Sequence, residues 1–402
     1  MRAAARAAAL AALLGACAGP KARGDEACAP LEGGPDDDPA AWEVPAGSYT
    51  PRLGEPRWVV PSEAFPYLAQ AANNNVAIAH AGDRLFLASR SAPTHFAGDQ
   101  TELLVASSAD DGLTWEPELK VALGTDVREP AFLLWQGVLS LSFFEAGANP
   151  AAFEPIAVWR AERCGLGDWD LQPISEGEEV PWDVKVRGGR ALRTSYSGDH
   201  YGAGDLALHL DTSDDGGRSW APLGQDPVSV GGDSEAAFEL DADGALWAVT
   251  RNEDGDATGQ GSKLCTAPAD DPSAWTCPGV SDPERYDSPE LIRHGDELYL
   301  LARRDVGGPF GEDTGLVAYS GRPKRSAIYR IDRQQRAVVH LFDIPGVGDT
   351  AFVSAARTGP HSWRIANYTS PLDNPDVSWL EAQLSPAGTQ IYLADLIFEP
   401  GG

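Results

Sequence analysis

Tryptophan recurs along this chain at nearly even intervals. Trp115, Trp169, Trp220 and Trp275 lie 54, 51 and 55 residues apart, and each follows an acidic turn, such as Asp110-Asp111-Gly112 before Trp115 and Asp214-Asp215-Gly216-Gly217 before Trp220. Strand–turn–strand units keep the same beat. They run over Val76–Ser89, Ala131–Phe144, Val184–Tyr196, Ala236–Thr250, Leu291–Ala302 and Phe352–Tyr368. Each has apolar runs flanking Gly-containing turns, as hairpins require. A third strand is expected after each hairpin, at Leu103–Ser107, Ile156–Arg160, Leu206–Leu210, Lys263–Ala267, Ala327–Ile331 and Trp379–Leu384. The implied unit is a four-stranded antiparallel blade repeated six times. One blade cannot bury both faces alone, so the blades must close in a ring. The expected fold is all-β, a six-bladed β-propeller over residues 57–402, with Arg57–Pro61 as an edge strand that helps close it. The 43 glycines and 31 prolines of this 402-residue chain suit many short strands and turns.

Ahead of the repeat lies an export signal. Arg2 and Arg6 precede an apolar run, Ala7–Ala16, too short to span a bilayer. Its end, Leu14-Gly15-Ala16-Cys17, reads as a bacterial lipobox. Residues 1–16 would be removed and Cys17 diacylated, and acyl chains there would anchor the protein to a membrane. Ala18, in place of an inner-membrane retention Asp, points to the outer membrane. Residues 17–56, rich in Gly, Pro, Ala and Asp, read as the lipidated cysteine and a flexible tether. In an oxidising compartment the other four cysteines should pair, Cys265 with Cys277 across twelve residues and Cys28 with Cys164 as the remaining pair.

The net charge of −29 repels phosphate backbones and excludes general nucleic-acid binding. No CxxC or HExxH spacing marks a metal site, and neither metal nor cofactor is expected. The expected partner is a glycan or another small anionic ligand, met by a monomer that touches the membrane only through its lipid.

In an antiparallel blade, the start of the first strand and the end of the second meet at one face near the axis. Those positions are polar in every blade. First-strand starts carry Asn73-Asn74-Asn75, Arg128-Glu129, Trp182-Asp183 with Lys185, Ser234-Glu235, Asp287-Ser288 with Glu290, and Asp349-Thr350. Second-strand ends carry Arg90, Glu145, Tyr196, Arg251-Asn252-Glu253, Arg303-Arg304-Asp305 and Asn367-Tyr368. Concave mouths of closed β-structures are where ligands bind, so these residues form the candidate site.

Ser108-Ala109-Asp110-Asp111-Gly112-Leu113-Thr114-Trp115 and Ser213-Asp214-Asp215-Gly216-Gly217-Arg218-Ser219-Trp220 resemble the Asp-box, S-x-D-x-G-x-[ST]-W, of the sialidase superfamily. The resemblance implies a structural role for these turns, away from the catalytic face. It also implies residue roles at the mouth. The stretch Ser234-Glu235 through Arg251-Asn252 resembles the sialidase segment that carries the activating glutamate and the second carboxylate-binding arginine. Arg303 or Arg304 stands where the third arginine falls, and Asp99 resembles the mobile-loop acid, with His95 as the alternative donor. Two positions depart from the family. Asn74-Asn75 replace the first arginine motif, with Arg128 a cation from the next blade, and Phe352 holds the place of the nucleophilic tyrosine, leaving Tyr368 or Tyr196 to approach from a second strand. The implied activity is that of a glycoside hydrolase with a diverged catalytic set, drawing its carboxylates from Asp183, Glu235, Glu290 and Asp349. The competing readings are a non-catalytic carbohydrate-binding lipoprotein, with Trp182, Tyr196 and Tyr368 stacking on sugars, and a structural or protein-binding envelope propeller.

Overall fold

The computed structural model describes residues 28, 30–31, 42, 44–177, 179–202, 204–308 and 316–401. Cys17 and the signal segment lie outside the described residues. Six antiparallel sheets follow one another along the chain. Blade 1 is built from Ala72–Ala81, Arg84–Ala92, Glu102–Ser108 and Glu116–Val121, and blade 2 from Asp126–Trp135, Val138–Ala146, Pro155–Gly165 and Asp168–Glu176. Blade 3 comprises Val180–Arg187, Arg190–Gly198, Leu206–Ser213 and Ala221–Pro222, and blade 5 comprises Asp287–His294, Glu297–Asp305, Lys324–Asp332 and Ala337–Ile344. Blade 4 has three full strands, Asp233–Leu240, Leu246–Asn252 and Lys263–Ala267. Its fourth is reduced to a single bridge, Thr266 to Thr276, beside the Cys265–Cys277 disulfide. Each innermost strand packs on the next, and that of blade 6 returns to that of blade 1. The chain is a six-bladed β-propeller.

Blade 6 closes the ring with both ends of the chain. Ala351–Arg357, Ser362–Thr369 and Gln390–Pro400 supply its inner strands, and Tyr49–Leu53 pairs outside Gln390–Pro400, with Tyr49 opposite Pro400. Arg57–Val60 pairs with the other half of that strand, as its edge-strand pattern suggests, while Tyr49–Leu53 comes from the span read as tether. One expected strand is corrected. Trp379–Leu384 is not the third strand of blade 6, because Trp379–Gln383 is a short helix. Ser378 caps it, accepting from the Glu381 N–H while the Glu381 carboxylate accepts from the Ser378 N–H.

The core lies between blades rather than at one centre. Leu85, Leu87 and Leu104 of blade 1 pack with Ala366, Ile391 and Leu393 of blade 6, and Trp115 fills the same cluster. The two acidic turns close alike. Ser108 Oγ accepts the Gly112 N–H at 2.7 Å, and Asp110 accepts the Thr114 N–H at 2.8 Å. Ser213 Oγ accepts the Gly217 N–H at 2.8 Å, and Asp215 accepts the Ser219 N–H at 2.9 Å. Gly112 and Gly217 sit at φ 79° and 82°. A Cβ on Gly217 would come within 3.2 Å of the Trp220 ring, so glycine both permits the turn and lets the indole fold over it.

One irregularity recurs in all six innermost strands. Two residues face one on the neighbouring strand at Asn75-Val76, Glu129-Pro130, Trp182-Asp183, Ser234-Glu235, Ser288-Pro289 and Phe352-Val353. Bulges re-aim side chains, and here they do so at the same level around the axis.

Candidate functional site at the propeller mouth

A cleft of about 700 Å³ opens at the face where first strands begin. The bulges line its floor with Asn75, Glu129, Glu235, Ser288 and Phe352. Arg128, Arg251, Arg303, Tyr196 and Tyr368 line it as well, and loops from blades 1, 2 and 3 and the helix with Trp379 form its rim. Asn75, Glu129, Ser288 and Phe352 have φ of 46°, 54°, 49° and 54°, a conformation costly for side-chain-bearing residues. The surrounding sheets hold that strain in place.

Each arginine arrives with a carboxylate. Arg251 donates Nη1 to Glu235 Oε1 at 2.6 Å and Nη2 to Glu253, and its Nε lies 3.4 Å from Asp287. Arg303 donates Nε to the Tyr319 hydroxyl at 2.8 Å, reaches Asp287 at 3.5 Å and lies over the Trp379 ring. Arg128 pairs with Asp126, which also accepts from the fully buried Arg90 at 2.9 Å. Glu235 is fixed at both oxygens, its Oε2 accepting the Ser288 N–H at 2.8 Å. Burial opposes ionisation of Asp287, but Arg251, Arg285 and Arg303 hold it below the usual carboxylate range.

Glu129 is different. Its Oε2 is buried and makes no hydrogen bond among the described residues. Burial first, then the nearby charge of Glu235, push its pKa up to about 8, against the pull of Arg128, Arg251 and His200. Glu235 is also raised, by burial and by Glu253, against Arg251. The charge of Glu235 therefore disfavours a second charge on Glu129 in the same desolvated cleft.

The remaining sequence candidates fall into three groups. Tyr368 lies in the cleft wall, but burial and the neighbouring Asp349 raise its phenol well above the usual range. Asp349 sits behind it, 2.7 Å from His95 Nδ1 and 3.4 Å from the Tyr368 hydroxyl. Asn74 bonds Arg90 and His95. Asn252 is buried beside the cleft, donating to the Gly259 carbonyl at 3.0 Å. The structure puts Asp183, Lys185 and Glu290 deeper, in the axial channel behind the bulges, where Lys185 pairs with Asp183 and Asp183 accepts the Phe238 N–H. Two side chains lie elsewhere. Arg304 pairs with Asp343 and His340 on an exposed outer edge, because neighbours on a strand point to opposite faces and Arg303 takes the inner one. Asp99 is exposed on the loop after Arg90 and does not line the cleft. Of the three aromatics expected to meet sugars, Tyr196 and Tyr368 are buried, and Trp182 packs at a tilt against Phe352 with its Nε1–H given to the Pro289 carbonyl. The two disulfides are Cys28–Cys164 and Cys265–Cys277.

No protein-family model and no curated protein sequence matches this chain. Solved structures do. A protein of unknown function from Dyadobacter fermentans superposes with TM-score 0.56 at 16% identity, over 87% of this chain and 99% of that one. The phage phi92 endosialidase gives 0.57 at 11%, over 88% and 70%. Trypanosoma rangeli sialidase with bound sialic acid gives 0.53 at 12%, over 87% and 59%. The fold is the sialidase-type propeller. On that scaffold Phe352 lies in the cleft between Trp182 at 5.1 Å and Tyr368 at 6.3 Å.

Proposed function

We propose that this chain is a glycan-active envelope protein, a sialidase-like glycoside hydrolase whose acid–base chemistry rests on Glu129 and Glu235, carried to the outer membrane by acylation at Cys17. The observation that carries the reading is the pair of carboxyls lining one mouth cleft: Glu129, whose buried Oε2 makes no hydrogen bond among the described residues, and Glu235, fixed by Arg251 and the Ser288 N–H; burial and the charge of Glu235 push the Glu129 pKa up to about 8, which favours its acid form at neutral pH. Glycoside hydrolysis needs a protonated acid on the leaving oxygen and a second carboxylate for the anomeric carbon or its attacking water. Glu129 takes the first role and Glu235 the second. Phe352 excludes a tyrosine nucleophile at its position, and the elevated phenol of Tyr368 disfavours a phenolate there. A sialate carboxylate is best met by arginine forks that are not already engaged. Those of Arg251 and Arg303 are held by Glu235, Glu253, Asp287 and Tyr319, which favours a neutral sugar at the reacting subsite. The two S-x-D-x-G-x-[ST]-W turns are Asp-boxes in this reading, structural and remote from the mouth.

The test is turnover of a panel of aryl glycosides and an aryl sialoside by the wild type, Glu129→Gln and Glu235→Gln. Turnover falling by about 10²–10⁴-fold in each variant supports the assignment. Full activity in either variant removes that residue from the mechanism. Saturable glycan binding with no turnover of any substrate transfers the reading to a carbohydrate-binding propeller.

A further inference from the structure

Among the large apolar and aromatic side chains the fold leaves exposed, Tyr201 stands out. It is 52% exposed, and it stands at the rim of the cleft that holds Glu129 and Glu235. Its backbone is left-handed, φ 65°, which a tyrosine adopts only at a cost. The loop between the second and third strands of blade 3 is tied to keep it there. The Tyr201 hydroxyl donates to Glu253 Oε1 at 3.1 Å and its N–H to Asp254 at 3.2 Å. His200 stacks on one face of its ring at 3.8 Å, and both imidazole nitrogens of His200 are held by carboxylates, Glu253 at 3.2 Å and Asp254 at 3.1 Å. Those bonds outweigh burial and raise the His200 pKa to about 9, so the clamp is a charged one across the neutral range. Phe153 from the blade 2 loop meets the pair edge-on, at 5.1 Å from His200 and 6.2 Å from Tyr201.

Burying an aromatic ring is the usual gain that offsets such strain. Here the loop is held by its own contacts to Glu253, Asp254 and His200, yet half of the ring stays exposed, which leaves its open face available to a ligand. The clamp also links the ring to the catalytic floor, since Glu253 binds Arg251 as well as Tyr201. With His200 covering one face, the ring can accept one flat apolar surface. The C–H face of a pyranose is such a surface, and the cleft has room for more than one ring.

We propose that Tyr201 is a stacking platform for a second pyranose, so that the cleft takes an oligosaccharide rather than a lone terminal sugar. The proposal rests on the glycan reading above. It is tested by calorimetric titration of the full chain in the Glu129→Gln background with chitotetraose, cellotetraose, xylotetraose and 3′-sialyllactose, and with the monosaccharides that compose them. At least one oligosaccharide should bind. Tyr201→Ala should weaken it about tenfold, Tyr201→Trp should restore it, and the matching monosaccharide should be unaffected by either change. Oligosaccharide affinity unchanged in Tyr201→Ala overturns the platform and leaves the glycan reading standing. Equal losses for oligosaccharide and monosaccharide also overturn it, because the ring would then serve the reacting subsite. Binding of none of these sugars overturns both.

Discussion

At the scale of single residues, the two glutamates of the cleft owe their behaviour to their neighbours: Arg251 and the Ser288 N–H fix Glu235, while burial and the charge of Glu235 raise Glu129. Glu235 and Arg251 stand sixteen residues apart at the start of one strand and the end of the next, and an antiparallel hairpin brings such positions together, here at 2.6 Å. Glu129 sits in the same polar series, but nothing in the sequence separates it from a solvated glutamate. Its distinction comes from the low dielectric around it and from Glu235, which arrives from two blades away. That environment has a thermodynamic signature. A carboxyl whose folded pKa is about 8, against an ordinary 4.5, makes the folded state bind more protons than the unfolded one between those values. Stability is therefore lost as pH rises from about 4.5 to 8. Glu129→Gln removes the ionisation, and we expect the variant to match the wild type near pH 4.5 and to be more stable at pH 8, by a few kcal/mol and at most about 5 kcal/mol. Thermal unfolding at the two pH values checks this, and an unfolding difference independent of pH would contradict the buried acid. Turnover should fall with the same ionisation as pH rises through about 8, where Glu129 ceases to be an acid.

At the scale of elements, the hairpins follow from turn residues and apolar runs, whereas the bulges are invisible to periodicity because they insert one residue without changing its polarity. They nonetheless decide which side chains reach the cleft. The short helix at Trp379 shows a different failure. Its apolar run, Trp379-Leu380, resembles a strand in a chain full of strands, yet Ser378-Trp379-Leu380-Glu381 carries the S-x-x-E spacing of a capping box. The local signal outranked the repeat. The helix presents Trp379 to the guanidinium of Arg303 at 4.6 Å and to Tyr319 at 5.3 Å, so its cap holds one wall of the cleft. Ser378→Ala should cost about 1 kcal/mol of stability. It should also weaken ligand binding through Trp379, whereas Ser378→Asp, which can still accept the Glu381 N–H, should retain both properties. Equal binding by Ser378→Ala and the wild type would mean that the wall stands without its cap.

At the scale of the whole molecule, the ring was readable from the tryptophan beat, but the course of the N-terminal segment was not, since a Gly- and Pro-rich stretch carries no pattern that names its neighbours. The described residues place it on the face opposite the mouth. Cys28 bonds Cys164 at the outer turn of blade 2, and the Leu31 N–H donates to the Gly137 carbonyl at the hairpin turn of the same blade. Trp42 lies under Arg357 of blade 6 and lines the axial channel, and the Gly47 N–H reaches Asp296 at the hairpin turn of blade 5. Tyr49–Leu53 then completes blade 6. The segment fastens the ring across its closure, and the Cys28–Cys164 bond ties residues 136 apart, against 12 for Cys265–Cys277. Restricting a longer loop removes more entropy from the unfolded chain, and the chain-entropy relation assigns about 5 kcal/mol to the first bond and about 3 kcal/mol to the second. Paired serine replacements should therefore destabilise in that order, with Cys28→Ser/Cys164→Ser the larger loss in denaturant unfolding. Because the mouth lies on the other face, glycan affinity at a temperature where both variants remain folded should be unchanged in each. A larger loss from Cys265→Ser/Cys277→Ser would shift the weight to blade 4, where that bridge stands in for a missing fourth strand, and would show local repair to matter more than closure of the ring.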